Sequence, residues 1–171
     1  AELMAEKRLD AIYVGGGTPT SLSAAELEDL LGFVRGLFDL SALREFTVEA
    51  GRPDSISREK LIVLKEQGVD RISINPQTLK QETLDLIGRF HTVDQFTESF
   101  RLARELGFDN INTDLIMGLP NESEADVRRT MEGIRALSPD DVTIHSLALK
   151  RAARLNTKRE DYADVSYGDA N

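Results

Sequence analysis

Five short, mainly apolar runs recur along the chain, each followed by an amphipathic stretch. The first is Ala11-Ile12-Tyr13-Val14, ended by Gly15-Gly16-Gly17. Beyond it, Leu27, Leu30, Leu31, Val34 and Phe38 fall on one helical face, which predicts a helix from about Ala24 to Phe38. Ser23 and Glu26 have the capping-box spacing at its start. The second run is Phe46-Thr47-Val48-Glu49, with a helix starting near Ser57, carrying Leu61 and Leu64 and stopped by Gly68. The third is Arg71-Ile72-Ser73-Ile74. Helical periodicity follows from Gln81 to Ile87 and again from Asp94 to Leu106, and Gly88-Arg89 divides the two. The fourth, Ile111 to Ile116, leads through Gly118-Leu119-Pro120 to a helix from about Ser123 to Leu137. The fifth is Val142-Thr143-Ile144-His145.

Strands alternating with helices of this length imply right-handed βαβ crossovers and a parallel sheet. The fold class is therefore α/β, with about five βα units. A doubly wound sheet and part of a β/α barrel share this periodicity, so both stay open at this point. The core is expected over residues 1–156. Residues 157–171 are polar without apolar period and read as a loosely held tail. The opening Ala1-Glu2-Leu3-Met4 reads as an excision from something longer.

Composition narrows the function. The chain has 171 residues, 40% hydrophobic and 30% charged, a globular balance. A net charge of −9 argues against a nucleic-acid partner, whose phosphates call for clustered Lys and Arg. No apolar stretch approaches the roughly 20 residues of a membrane span. There is no cysteine, hence no disulfide, no thiolate nucleophile and no iron–sulfur ligand from this chain. A cytoplasmic location is expected.

In α/β sheets and β/α barrels, ligands bind beyond the carboxyl ends of the strands. Those ends carry Gly15-Gly16-Gly17-Thr18-Pro19, then Glu49, then Asn75-Pro76-Gln77, then Asp114, then His145. The glycine loop lets backbone approach a ligand, but it is neither a phosphate loop nor the dinucleotide fingerprint. Glu49 and Asp114 lie in apolar contexts, where a carboxylate needs a partner. For Glu49 that partner is a cationic ligand group, or else Arg52 or Arg71. Arg89 suits a carboxylate in a fork geometry, or a surface ion pair. His91 reads as a capping or surface residue, and His145 as either functional or structural. Neither histidine has metal-ligand spacing to other ligand types. Lys150, Arg151 and Arg154 form a basic patch suited to anionic substrate groups.

Taken in order, Ile12-Tyr13-Val14-Gly15-Gly16-Gly17-Thr18-Pro19-Thr20, Thr47-Val48-Glu49-Ala50, Gly68 to Gln77, and Asn112 to Pro120 resemble the radical S-adenosylmethionine (SAM) family that includes oxygen-independent coproporphyrinogen III oxidase. Two departures stand out. Asn75-Pro76-Gln77 replaces a common Gly-Val-Gln, and His145 stands where a tyrosine is usual. Residues 49–54 and 145–152 look like the coproporphyrinogen dehydrogenase branch of Gram-positive bacteria.

The resemblance implies a TIM-barrel-like partial β/α barrel of six parallel strands, of which this chain lacks the first. The family's Cys-x-x-x-Cys-x-x-Cys loop for a [4Fe–4S] cluster then falls upstream of Ala1, and a C-terminal domain beyond Asn171. It further implies that Gly16, Gly17 and Thr18 meet the SAM amino group. Glu49 lies by the ribose or methionine end, Arg89 takes the carboxylate, and Gln77 and Asp114 take polar atoms. The implied activity is oxidative decarboxylation of coproporphyrinogen III in haem synthesis. It needs an electron donor, and this chain alone is expected to be inactive. His145, Lys150 and Arg151 are the candidate porphyrinogen contacts. A haem-binding chaperone of the same family is the second reading, and a radical SAM enzyme with another substrate a further one. An ordinary barrel enzyme for a phosphorylated sugar lacks its late phosphate loop and Schiff-base lysine here. The missing first strand would leave an open edge beside Val14, through which the chain is expected to dimerise.

Overall fold

The computed structural model describes residues 9–147. Lys150, Arg151, Arg154 and the tail from residue 157 lie outside the described residues. Five strands, β1 (Ala11–Val14), β2 (Glu45–Glu49), β3 (Arg71–Ser73), β4 (Ile111–Met117) and β5 (Asp141–Ser146), form one sheet in the order β1-β2-β3-β4-β5. Every pairing is parallel. A doubly wound sheet reverses its strand order at a switch point. This one never reverses, so right-handed crossovers place its helices on one face, as in a barrel.

The helices are α1 (Ala24–Leu37), α2 (Arg58–Glu66), α3 (Gln81–Leu86), α4 (Val93–Glu105) and α5 (Glu124–Leu137). Ser23 and Glu26 form the expected capping box on α1, and Thr92/Gln95 and Ser123/Asp126 do the same for α4 and α5. Reciprocal caps satisfy donors that the first helical turn leaves without partners. Single 3₁₀ turns at Pro19–Ser21 and Pro53–Ser55 are unannounced by the periodicity. No described helix is long and apolar enough to cross a membrane.

The core lies between the sheet's convex face and the helices. Phe46, Val48, Ile72, Ile74, Ile111 and Leu115 meet Leu27, Leu31, Leu61, Leu64, Phe96, Phe100 and Ile134, all buried. Each fully buried side chain of this size contributes about 1.5–3 kcal/mol of burial.

The concave face is polar. Thr47 and Glu49, Arg71 and Ser73, Asn112 and Asp114, Thr143 and His145 alternate with the outward apolar positions. A strand buried on both faces reads as a continuous apolar run. These strands alternate instead, because only one face is packed against helices. Arg71 ties the lower part of this face together, bonded to Asp141 at 2.8 Å and 4.0 Å from Glu45.

Candidate functional site

The carboxyl ends of the five strands converge on the polar face. Glu49, at the end of β2, is half-buried. Its Oε2 accepts from the Tyr13 hydroxyl and from the Gly16 N–H, both at 3.3 Å. Neither expected arginine neutralises it. Arg52 forms a fork with Asp54 at 2.6 Å, and Arg71 belongs to Asp141. The Glu49 charge is thus anchored by neutral donors from the glycine loop and β1. Burial and that neighbouring carboxylate raise the Tyr13 phenol above its usual value.

The glycine loop is exposed and sharply bent. Gly16 has φ 111° and Thr18 φ 60°, and the Thr18 N–H donates to Gly16 O at 2.8 Å. A side chain at position 16 would be strained, and one at Gly15 would strike Tyr13 at 2.3 Å. Among the described residues the Gly16 N–H reaches Glu49, whereas Gly17 and the Thr18 side chain make no such bond. The loop is built by β1 and the Pro19 turn, and it holds Glu49 in place.

Between β3 and β4 the ladder carries a one-residue bulge. Ile74 N donates to Asn112 O at 2.9 Å; the next rung comes from Gln77 N to Asp114 O at 3.1 Å. Pro76 has no N–H to make a rung, and Gln77 takes φ 69° to resume pairing beside Leu115. The Asp114 N–H is satisfied by a side chain, Asn75 Oδ1 at 3.1 Å. A buried chain of bonds supports this. Thr143 donates to Asn112 at 3.0 Å, Asn112 to Ser73 at 2.9 Å, and Ser73 to Asn75 at 2.8 Å. Asn112 also donates to the Asp114 carboxylate at 2.7 Å. His145 Nε2 lies 3.7 Å from the other oxygen of Asp114, and its side chain is more than half exposed.

Arg89 follows the C-terminus of α3. Its guanidinium is half-buried with no ion pair or side-chain hydrogen bond among the described residues. Burial and the nearby Arg52 lower its pKa, opposed by Asp54 and Glu49. Gln77 is 6% exposed, and among the described residues its side chain too has no hydrogen bond. A half-buried cation and an amide with no protein partner are left for water or a ligand to satisfy.

His91 differs from expectation. It is 1% exposed, donating from Nε2 to Pro76 O at 3.3 Å, and burial lowers its pKa. It braces the bulged loop from below instead of capping α4, a role that Thr92 holds. Tyr13, Ser73, Asn112 and Thr143 also belong to this hydrogen-bonded layer, although no sequence motif marks them as site residues. The signal was the polar alternation inside the strands, which apolar runs masked.

The radical SAM superfamily model matches residues 1–134. The chain belongs to the radical SAM superfamily. Within it, the chain is 46% identical over 156 residues to the oxygen-independent coproporphyrinogen-III oxidase-like protein HemZ of Bacillus subtilis, covering 91% of this chain and 31% of that protein. It is 41% identical over 143 residues to the heme chaperone HemW of the same organism, covering 83% and 38%. The solved structure of Escherichia coli coproporphyrinogen III oxidase (HemN), described as a radical SAM enzyme, superposes with a TM-score of 0.84 at 27% identity. That match covers 96% of this chain and 38% of the other. The five-stranded sheet is thus part of the radical SAM partial barrel. The chain spans about a third of the length of the curated relatives it matches.

Proposed function

We propose that this chain is the SAM-binding part of a radical SAM oxidoreductase that decarboxylates the propionate side chains of coproporphyrinogen III. The observation that carries the reading is the set of unsatisfied groups gathered at one end of the sheet. Arg89 is a half-buried cation without an anion, Gln77 a buried amide without a partner, and Glu49 and Asp114 are carboxylates held open by neutral donors. SAM carries a carboxylate, an ammonium, a sulfonium and a ribose, and these are the complements.

SAM, when bound, supplies the hydrogen-abstracting chemistry. This chain's residues bind and orient it. Arg89 takes the methionine carboxylate, as its fork geometry allows. Glu49 and Asp114 place negative charge at the end of the sheet that holds the ammonium and sulfonium. The exposed backbone of Gly16, Gly17 and Thr18 meets the amino group. His145, next to Asp114 at the rim, faces the substrate side. A [4Fe–4S] cluster does not fit the residues present, because the chain has no cysteine. In this reading the cluster thiolates come from polypeptide outside it.

A haem-carrying role is the second reading, and the 41% identity to a heme chaperone favours keeping it. One experiment separates the two. The longer protein, made anaerobically with its cluster, is given SAM, dithionite and coproporphyrinogen III, and a parallel sample is given haem. Expected are 5′-deoxyadenosine and a decarboxylated porphyrin together. Haem binding with a Soret shift and no decarboxylation would transfer the chain to the chaperone reading.

A further inference from the structure

The amide of Asn75 is fixed at one end and open at the other. Its orientation follows from two groups that have only one hydrogen-bonding role. The ionised Asp114 carboxylate only accepts, so the Asn112 atom 2.7 Å away is its NH₂, leaving its oxygen for the Thr143 hydroxyl. The Asp114 backbone N–H only donates, so the Asn75 atom 3.1 Å away is its carbonyl oxygen, which also receives Ser73. The Asn75 NH₂ must therefore point the other way. Asn75 is 3% exposed, and among the described residues that NH₂ has no partner.

It points across Gly51. A Cβ placed on Gly51 would lie 3.4 Å from Asn75 Nδ2 and 3.0 Å from Glu49 Oε1. The other Glu49 oxygen is engaged by Tyr13 and Gly16. A free donor and a free acceptor thus face one small hollow, kept open by the absence of a side chain. A pair of adjacent hydroxyls fits it: one oxygen receives a hydrogen bond from Asn75, and one O–H donates to Glu49. A carboxylate would be repelled by Glu49, and an ammonium would satisfy Glu49 but leave the Asn75 NH₂ without an acceptor.

We infer that Asn75 Nδ2 is a ligand-binding donor, and that with Glu49 Oε1 it seats the ribose diol of the adenosyl ligand. This rests on the SAM reading above. It gives a function to Asn75, which stands at a position where the family pattern has glycine.

Two variants of the longer, cluster-bearing protein test it, with SAM and 5′-methylthioadenosine as calorimetric probes. The second probe keeps the ribose and lacks the amino-acid carboxylate. Asn75→Asp keeps an oxygen for Ser73 and Asp114 but loses the NH₂. Asn75→Gly loses both. A donor to ligand predicts that Asn75→Asp weakens both probes about tenfold or more, at least as much as Asn75→Gly does. A purely architectural Asn75 predicts the reverse order, with Asn75→Asp near wild type, and that result would overturn the inference. Loss confined to SAM would move the contact to the amino-acid end and overturn the ribose assignment. Wild-type protein that binds neither probe would instead defeat the SAM reading itself. Unchanged cluster absorbance and melting temperature of Asn75→Asp establish that the variant is folded.

Discussion

Replacing Gly51 by alanine separates ligand binding from folding, because the backbone there accepts a side chain and the hollow does not. Gly51 does not have a positive φ, so alanine adds no backbone strain. By itself the change would stabilise the protein by about 0.4–1 kcal/mol, through loss of freedom in the unfolded chain. The new methyl would lie 3.0 Å from Glu49 Oε1, closer than ordinary contact, so the carboxylate must move by a few tenths of an ångström. Its bonds to Tyr13 and Gly16 are already 3.3 Å long, and the shift weakens both. Weakening them costs about 0.5–1.5 kcal/mol. The two effects nearly cancel, so the melting temperature should change by only a few degrees. The ligand, by contrast, loses the space over Gly51 and the aimed oxygen of Glu49. SAM affinity should fall at least tenfold, about 1.4 kcal/mol. Calorimetric titration and thermal unfolding on the same preparation measure both quantities. Unchanged SAM affinity in a folded Gly51→Ala protein would refute the placement of ligand against Glu49.

Other consequences follow from the same geometry. Thr113 sits on the packed face of β4 with a buried hydroxyl that has no partner among the described residues. Thr113→Val, of similar shape, should stabilise the protein by about 1–2 kcal/mol in urea unfolding; a destabilisation would mean that the hydroxyl is satisfied. Glu122 is buried, bonded to Thr78, and burial raises its pKa. A raised carboxyl favours folding below its unfolded pKa of about 4.3 and loses that contribution as pH rises through the folded value. Glu122→Gln should therefore melt no lower than wild type at pH 4 and clearly higher at pH 7.5. A melting difference that does not change with pH would contradict the assignment.

The order and type of elements were legible because amphipathic helices carry a strong period and their caps a fixed spacing. Ser23 with Glu26 is a case where a pair of residues fixes a helix start to the position found. The strand ends were legible for the same reason: turn residues mark them, and Glu49, Gln77, Asp114 and Gly16 stand together as strand order dictates. The supporting layer was not. Apolar residues at 46, 48, 72 and 74 make these strands read as runs, while the alternating Thr47, Ser73, Asn112 and Thr143 line the opposite face. Nor does local sequence reveal that Asn75 would replace a backbone rung. That depends on the missing N–H of Pro76 and on the register of β4, which only the assembled sheet determines. His91 sits in a helix break, which predicts exposure, whereas the fold buries it against the Pro76 carbonyl. Arg52 and Arg71 were available by charge for Glu49, yet Asp54 and Asp141 lie nearer in the folded chain.

Binding of SAM at the open strand ends, with Arg89 on its carboxylate, is tested most directly by calorimetric titration of SAM and 5′-methylthioadenosine into the cluster-bearing protein and its Arg89→Ala variant. Expected are tight SAM binding to wild type, a loss of tenfold or more in Arg89→Ala, and little change for methylthioadenosine, which has no carboxylate. Equal affinities of wild type and variant for SAM would contradict it.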